Sequence, residues 1–195
     1  MRGAYALLGI AWIVVFAGLY IFLNHKIIPL ADTTNTFMSD SLTLTSDAFA
    51  EGGNIPSKFT CDVETPVNPP LTISGVPEGA KSLALIVDDP DVPKEVLPAG
   101  VFDHWILFNI PPQTAEIAAG MTVGTPGANG AGKLEYAAPC PPAQYEPSEH
   151  RYVFALYALD STLSLPAGAT KEELVKAMQG HIVAQTELMG RYKRQ

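Results

Sequence analysis

Three short apolar runs, fenced by prolines that stay out of their interiors, set the limits on this fold. They are Lys81–Val87, Trp105–Ile110 and Tyr152–Leu159. Runs this short match strands better than helices. A proline within a central strand would remove a ladder hydrogen bond, and here Pro77, Pro90, Pro111-Pro112 and Pro147 all fall outside. Lys81–Val87 lacks strict polar alternation, which predicts burial of both its faces. Leu42–Thr45, Pro56–Cys61 and Leu71–Ile73 are further short strand candidates. A helix is predicted to open at Thr170, with Glu173 at the capping-box position and Leu174, Val175 and Met178 as its apolar face. Gly180 ends it. His181–Tyr192 reads equally as helix or strand. The expectation is a mostly β, antiparallel domain with one or two helices near its C-terminus. No internal repeat and no second domain boundary are visible.

The N-terminal residues have a different character. Residues 1–3 form a short tail, and Ala4–Leu23 is an unbroken uncharged run of the length a membrane-spanning helix needs. A cleavable signal peptide is the alternative, but Asn24-His25-Lys26 follows and Pro29-Leu30-Ala31 is a poor cleavage site. Residues 24–41 read as an extended linker, and the folded domain is expected over 42–195. An uncleaved single-pass anchor with the domain on the extracytoplasmic side is the favoured reading. The net charge of −8 does not suit nucleic-acid phosphates. Arg191–Arg194 reads as a solvated tail. The two cysteines, Cys61 and Cys140, are too few for a disulfide scaffold. An exported domain permits one bridge between them, and two free, half-buried thiols fit the spacing equally well.

Four strings concentrate the polar chemistry: Asp88-Asp89-Pro90-Asp91-Val92-Pro93, Asp103-His104-Trp105, Pro139-Cys140-Pro141-Pro142 and His150-Arg151-Tyr152. Each histidine directly precedes an aromatic or Arg-aromatic strand start. Two imidazoles with carboxylates suit a divalent metal. They equally suit an anion, with Asp89 and Asp91 orienting the rings and the other ring nitrogens facing the ligand. Pro141-Pro142 would stiffen a pocket wall, and backbone N–H groups near Cys140 can point at an oxyanion. Gly127–Lys133 matches the core of a phosphate-binding P-loop, but Leu134 stands where Ser or Thr must hold Mg²⁺. It reads instead as a flexible Gly-rich loop. No Gly-x-Ser-x-Gly elbow is present, and Ser148 is merely near His150 in sequence.

These strings, in this order, resemble the phosphatidylethanolamine-binding protein family, which includes the Raf kinase inhibitor proteins, and most closely its bacterial branch. Phe59-Thr60-Cys61-Asp62, Asn109-Ile110-Pro111, Tyr136 and Gly190-Arg191-Tyr192 extend the likeness over roughly 42–192. The resemblance implies a large central antiparallel sheet, a smaller sheet packed on it, and peripheral helices. It favours a strand for His181–Tyr192. It also implies a small solvent-open pocket for phosphate or a phospholipid head group, formed by Asp89, Asp91, Pro93, His104, Pro141, His150 and Tyr152. Ala137-Ala138 replaces the branch's usual Gly-Gly, Ala143–Glu149 is longer than usual, and Val63–Pro66 replaces a shorter turn. The expected function is binding without catalysis or cofactor, His104 and His150 donating to a phosphate-bearing ligand that holds only weakly. Two alternatives are a metal-assisted hydrolase using His104, His150 and a carboxylate, and a protein inhibitor of a kinase or protease acting through its surface.

Overall fold

The computed structural model describes residues 41–194. The tail 1–3, the apolar segment 4–23 and the linker up to residue 40 lie outside the described residues, as does Gln195. Among the described residues no helix is long and apolar enough to cross a membrane.

The three apolar runs form the centre of a five-stranded antiparallel sheet. Its strands are β3 (Ser82–Asp89), β4 (Phe102–Ile110), β6 (Thr125–Pro126), β7 (Glu149–Leu159) and β8 (Ile182–Lys193), in the order β6-β4-β3-β7-β8. A smaller sheet, ordered β1-β2-β5, is built from β1 (Thr43–Thr45), β2 (Leu71–Ser74) and β5 (Glu116–Ile117). The family-type two-sheet architecture is therefore present. The region 181–192 resolves as strand, paired antiparallel with β7 along nearly its whole length.

Alternation sorts the central strands into two cores. Leu83, Leu85 and Val87 join Trp105, Leu107, Phe154 and Leu156 against Leu44, Leu71, Ile73 and Ile117 of the small sheet. Ala84 and Ile86 face the other way, with Ile106 and Phe108, against Leu174 and Met178 of α1 (Lys171–Met178). This explains why Lys81–Val87 shows no polar alternation: both faces of β3 are covered. The capping box forms as expected, with Thr170 accepting from the Glu173 backbone N–H and Glu173 from that of Thr170.

Four sequence readings require correction. Pro56–Cys61 is not a strand; a 3-10 turn spans Ser57–Phe59 and anchors Phe59 in the core. Val175 is 41% exposed, so the buried stripe of α1 is carried by Leu174 and Met178. The histidines do not precede their strands but lie within them, at the third residue of β4 and the second of β7. The Gly-rich loop 127–133 is pinned rather than free. Asn129 is buried, donates to the Glu135 carbonyl, and accepts from the Ala131 and Lys133 amides.

Candidate functional site: an imidazole pair over a buried carboxylate

Simple alternation carries three of the site residues to one place. Asp89 continues the Leu83-Leu85-Val87 face of β3, and His150 and Tyr152 continue the Phe154-Leu156 face of β7. His104 needs a different device. By alternation it would share the face of Ile106, beneath α1. The β3–β4 register, however, slips between Val87↔Trp105 and Asp88↔Asp103. His104 is the extra residue of that β-bulge, and the bulge turns it onto the same side as Trp105, over Asp89.

The three groups form one cluster. His150 Nδ1 lies 2.6 Å from Asp89 Oδ2, and the other oxygen, Oδ1, accepts the Asp91 backbone N–H at 2.9 Å. His104 Nδ1 lies 2.6 Å from the Ala137 carbonyl oxygen, while its Nε2 approaches Asp89 Oδ2 to 4.0 Å. A carbonyl oxygen only accepts, so His104 carries a hydrogen on Nδ1. The His104 ring is held edge-to-face between Phe102 and Tyr152, with centroids 4.8 and 5.1 Å away. All three polar residues are at most 5% exposed. Burial is the main reason the His104 imidazole falls below its ordinary 6.5, outweighing the Ala137 hydrogen bond and the charge of Asp89, which pull the other way. The Tyr152 phenol is pushed up, by burial first and by the Asp89 charge second.

Above this floor opens a cavity of about 400 Å³. Val92, Val96, Leu97 and Phe102 make one side, and Ala137, Ala138 and Cys140–Pro142 the other. The second side is held by covalent and polar ties. Cys61 and Cys140 are joined in a disulfide, with a Cα–Cα distance of 5.4 Å. The Cys61 N–H donates to the Pro139 carbonyl, and the Tyr136 hydroxyl donates to that of Phe59. Of the two cysteine readings left open by the spacing, the bridge is the one realised.

Of the residues singled out in sequence, Asp89, His104, Cys140, Pro141 and His150 line this cavity. Asp91, Pro93 and Tyr152 do not. Tyr152 lies beneath His104, and Pro93 is buried. Asp91 turns away from both rings. It accepts from Arg151 Nε at 2.9 Å and Nη2 at 2.7 Å, and this pair holds its carboxyl below the usual range. The reading that Asp91 orients an imidazole is therefore corrected, and Asp89 alone does so. The long link Ala143–Glu149 contributes nothing to the lining, whereas Ala137 and Ala138 do. Sequence reasoning missed Val92, Val96, Leu97 and Phe102; apolar residues scattered among the prolines Pro90, Pro93 and Pro98 after the Asp cluster were the available signal for the first three.

For a metal, the cluster offers two imidazoles and one carboxylate. Yet among the described residues no three His, Cys, Asp or Glu side chains are grouped so as to hold an ion.

The family model described as phosphatidylethanolamine-binding protein matches residues 45–193. A protein of Chlamydia trachomatis named UPF0098 is 47% identical over 152 residues, spanning 77% of this chain and 98% of its own length. A UPF0098 protein of Methanothermobacter thermautotrophicus is 44% identical over 160 residues, 78% of this chain and 99% of its own. The crystal structure of CT736, a Chlamydia trachomatis protein described as a putative phosphatidylethanolamine-binding protein homologue, superposes with a TM-score of 0.76 at 46% identity. It covers 80% of this chain and 100% of its own. Escherichia coli YbcL shares the fold, with a TM-score of 0.68 at 24% identity over 80% of this chain and 99% of its own. With the family model matched across the whole described domain, and relatives of nearly equal domain length at such identity, this chain belongs to the phosphatidylethanolamine-binding protein family.

Proposed function

We propose that the domain is a non-enzymatic binding module for a small oxyanion: phosphate, a phosphorylated small molecule or a phospholipid head group. One observation carries this reading. Two buried imidazoles, one fixed by a carboxylate and one by a carbonyl, sit at the base of a cavity whose remaining walls are mainly apolar. The polar floor suits a charged head, and the rim of Val92, Val96, Leu97, Phe102 and Pro142 suits an apolar substituent beside it. No serine, threonine or cysteine thiol faces the imidazoles across the cavity, since Cys140 is bridged. Charge-assisted hydrogen bonds contribute about 1.5–3 kcal/mol each. A pocket that offers few such bonds supports micromolar-to-millimolar affinity.

The apolar run 4–23 and the Cys61–Cys140 bridge together support a domain tethered to a membrane on its oxidising, extracytoplasmic face.

The test is two-dimensional NMR of fragment 41–195 during addition of phosphate and phosphoethanolamine. That fragment corresponds to the full length of the crystallised Chlamydia relative, which folds without further sequence. The expected shifts cluster at Asp89, His104, Cys140 and His150, and vanish in His104→Ala and in His150→Ala. Turnover of a phosphoester that disappears in His104→Ala would overturn the non-enzymatic reading. Shifts confined to residues away from the cavity would overturn the pocket.

A further inference from the structure

We infer that this pocket takes up one proton with each oxyanion it binds. The inference rests on the anion-binding reading above and concerns which protonation state of ligand and floor forms the complex.

The hydrogen-bond pattern of the floor carries it. His104 commits its Nδ1–H to the Ala137 carbonyl, and His150 commits its Nδ1–H to Asp89 Oδ2. In neutral imidazole the other nitrogen then bears a lone pair. Both Nε2 atoms are therefore acceptors, and His150 Nε2 is buried without any partner. The third group of the floor, the Asp89 carboxylate, is an acceptor as well. A floor of three acceptors repels an anion that has no hydrogen of its own.

No neighbouring side chain supplies the missing positive charge. On β3, Asp89 faces both rings. On β4, Asp103 lies near His104 but on the opposite face, with its charge paired to Lys171 of α1, whose ammonium is committed there. On β7, Tyr152 contributes a neutral hydroxyl, and Arg151 points outward into its pair with Asp91. The wall over His104 contributes the Ala137 carbonyl, another acceptor. The complex becomes favourable when a hydrogen stands between an Nε2 and the ligand oxygen. A phosphomonoester in its monoanionic form brings that hydrogen on its own P–O–H. Sulfate carries none near neutrality, so the proton must come from solvent onto an imidazole.

The experiment is isothermal calorimetry of sulfate and of phenyl phosphate into fragment 41–195, from pH 5.5 to 8.5, in two buffers of different ionisation enthalpy. Sulfate affinity is expected to fall about tenfold per pH unit once the free imidazole is neutral, with heats that differ between buffers by nearly one proton per sulfate. Phenyl phosphate affinity is expected to stay level until the ligand loses its own second proton, near pH 6, and to fall above it. In His104→Gln, an amide N–H donates at every pH, so the sulfate profile should flatten while binding persists. Sulfate binding that is equal at all pH values, with equal heats in both buffers, would overturn the inference and leave the anion pocket standing; backbone N–H groups would then carry the anion. Failure of both probes to bind at any pH would overturn the pocket reading, and the inference with it.

Discussion

Removing the Cys61–Cys140 bridge should weaken the domain by several kcal/mol while leaving the central sheet in place. The bridge spans 79 residues. Closing a loop of that length lowers the entropy of the unfolded chain by an amount equivalent to about 4.5 kcal/mol at 25 °C. The native structure keeps other ties across the same junction: the Cys61 N–H to the Pro139 carbonyl, the Tyr136 hydroxyl to the Phe59 carbonyl, and the edge-to-face contact of Tyr136 with Trp105. The folded geometry therefore has support without the sulfur atoms, and the loss should fall at roughly 3–4.5 kcal/mol. Trp105 is the single tryptophan beyond residue 40, is 1% exposed and touches Tyr136, so its fluorescence reports on this junction. In urea at pH 7, Cys61→Ala/Cys140→Ala should lower the unfolding midpoint by roughly 1.5–2.2 M, taking m as about 2 kcal/mol/M, with m itself rising somewhat because the unbridged chain exposes more surface on unfolding. Hydrogen exchange should quicken at Ala137–Cys140 and stay slow in β3 and β7. A midpoint shift below about 0.5 M would refute the reasoning, because the bridge would then constrain little that the unfolded chain does not already lack. A loss of slow exchange throughout β3 would refute the claim that the wall and the sheet are separable.

Three further outcomes follow from single sites. Asp88 is raised to about 6, mainly by burial, so the folded state holds its proton more tightly than the unfolded chain does. Its contribution therefore declines as pH rises from 3.8 toward 6 and is constant above that. With a quarter of the side chain in water (24%), the effect should be about 1 kcal/mol, seen as a gentler pH dependence of urea stability in Asp88→Asn than in the parent. Asn109 is the non-glycine residue with positive φ among those described, at 50°, and its side chain bonds both the N–H and the carbonyl of Leu163. Asn109→Ala should cost roughly 2–4 kcal/mol by thermal or urea unfolding, and Asn109→Gly less, because glycine keeps the backbone relaxed and loses the two hydrogen bonds alone. At Gly127 an added Cβ would stand 2.5 Å from Ile106 Cγ2 and 2.8 Å from the Ala169 carbonyl oxygen, so Gly127→Ala should destabilise by about 1–3 kcal/mol in the same assay.

The parts of this fold that the sequence makes plain are those set by local rules. Proline placement outlines β3, β4 and β7, and Thr170 with Glu173 marks the start of α1. Period-two alternation is enough to put His150 and Tyr152 on the face of Phe154. What stays hidden depends on partners far away in the chain. The strands β5 and β6 have two residues each, too few for any periodicity, and exist because β2 and β4 offer them an edge. Asp91 and Arg151 lie 60 residues apart, so nothing local distinguishes Asp91 from Asp89 as an imidazole partner. The Gly127–Lys133 loop looks free in sequence because its restraints are the Asn129 side chain and close approaches to Ile106 and Phe102. His104 is the instructive case: its residue type is visible, but its direction comes from a bulge that only the β3–β4 pairing defines.

Ionisable residues stand in adjacent pairs at the ends of these two neighbouring strands. Asp88 and Asp89 point to opposite faces of β3, and Asp103 and His104 to opposite faces of β4. On the back, Asp88 and Asp103 stand opposite each other in register, an arrangement of like charges that pushes the strands apart. Lys171, at the first turn of α1, reaches both, at 2.6 Å from Asp88 and 3.0 Å from Asp103. Its ammonium therefore ties the helix to the two strand ends whose front sides carry Asp89 and His104. Those front groups stand 4.0 Å apart, from His104 Nε2 to Asp89 Oδ2, and the ion cluster behind them lies outside the cavity lining. A mutation at Lys171 would act on the pocket through this geometry, and its effect on anion affinity would carry no change in the protonation stoichiometry of the two imidazoles.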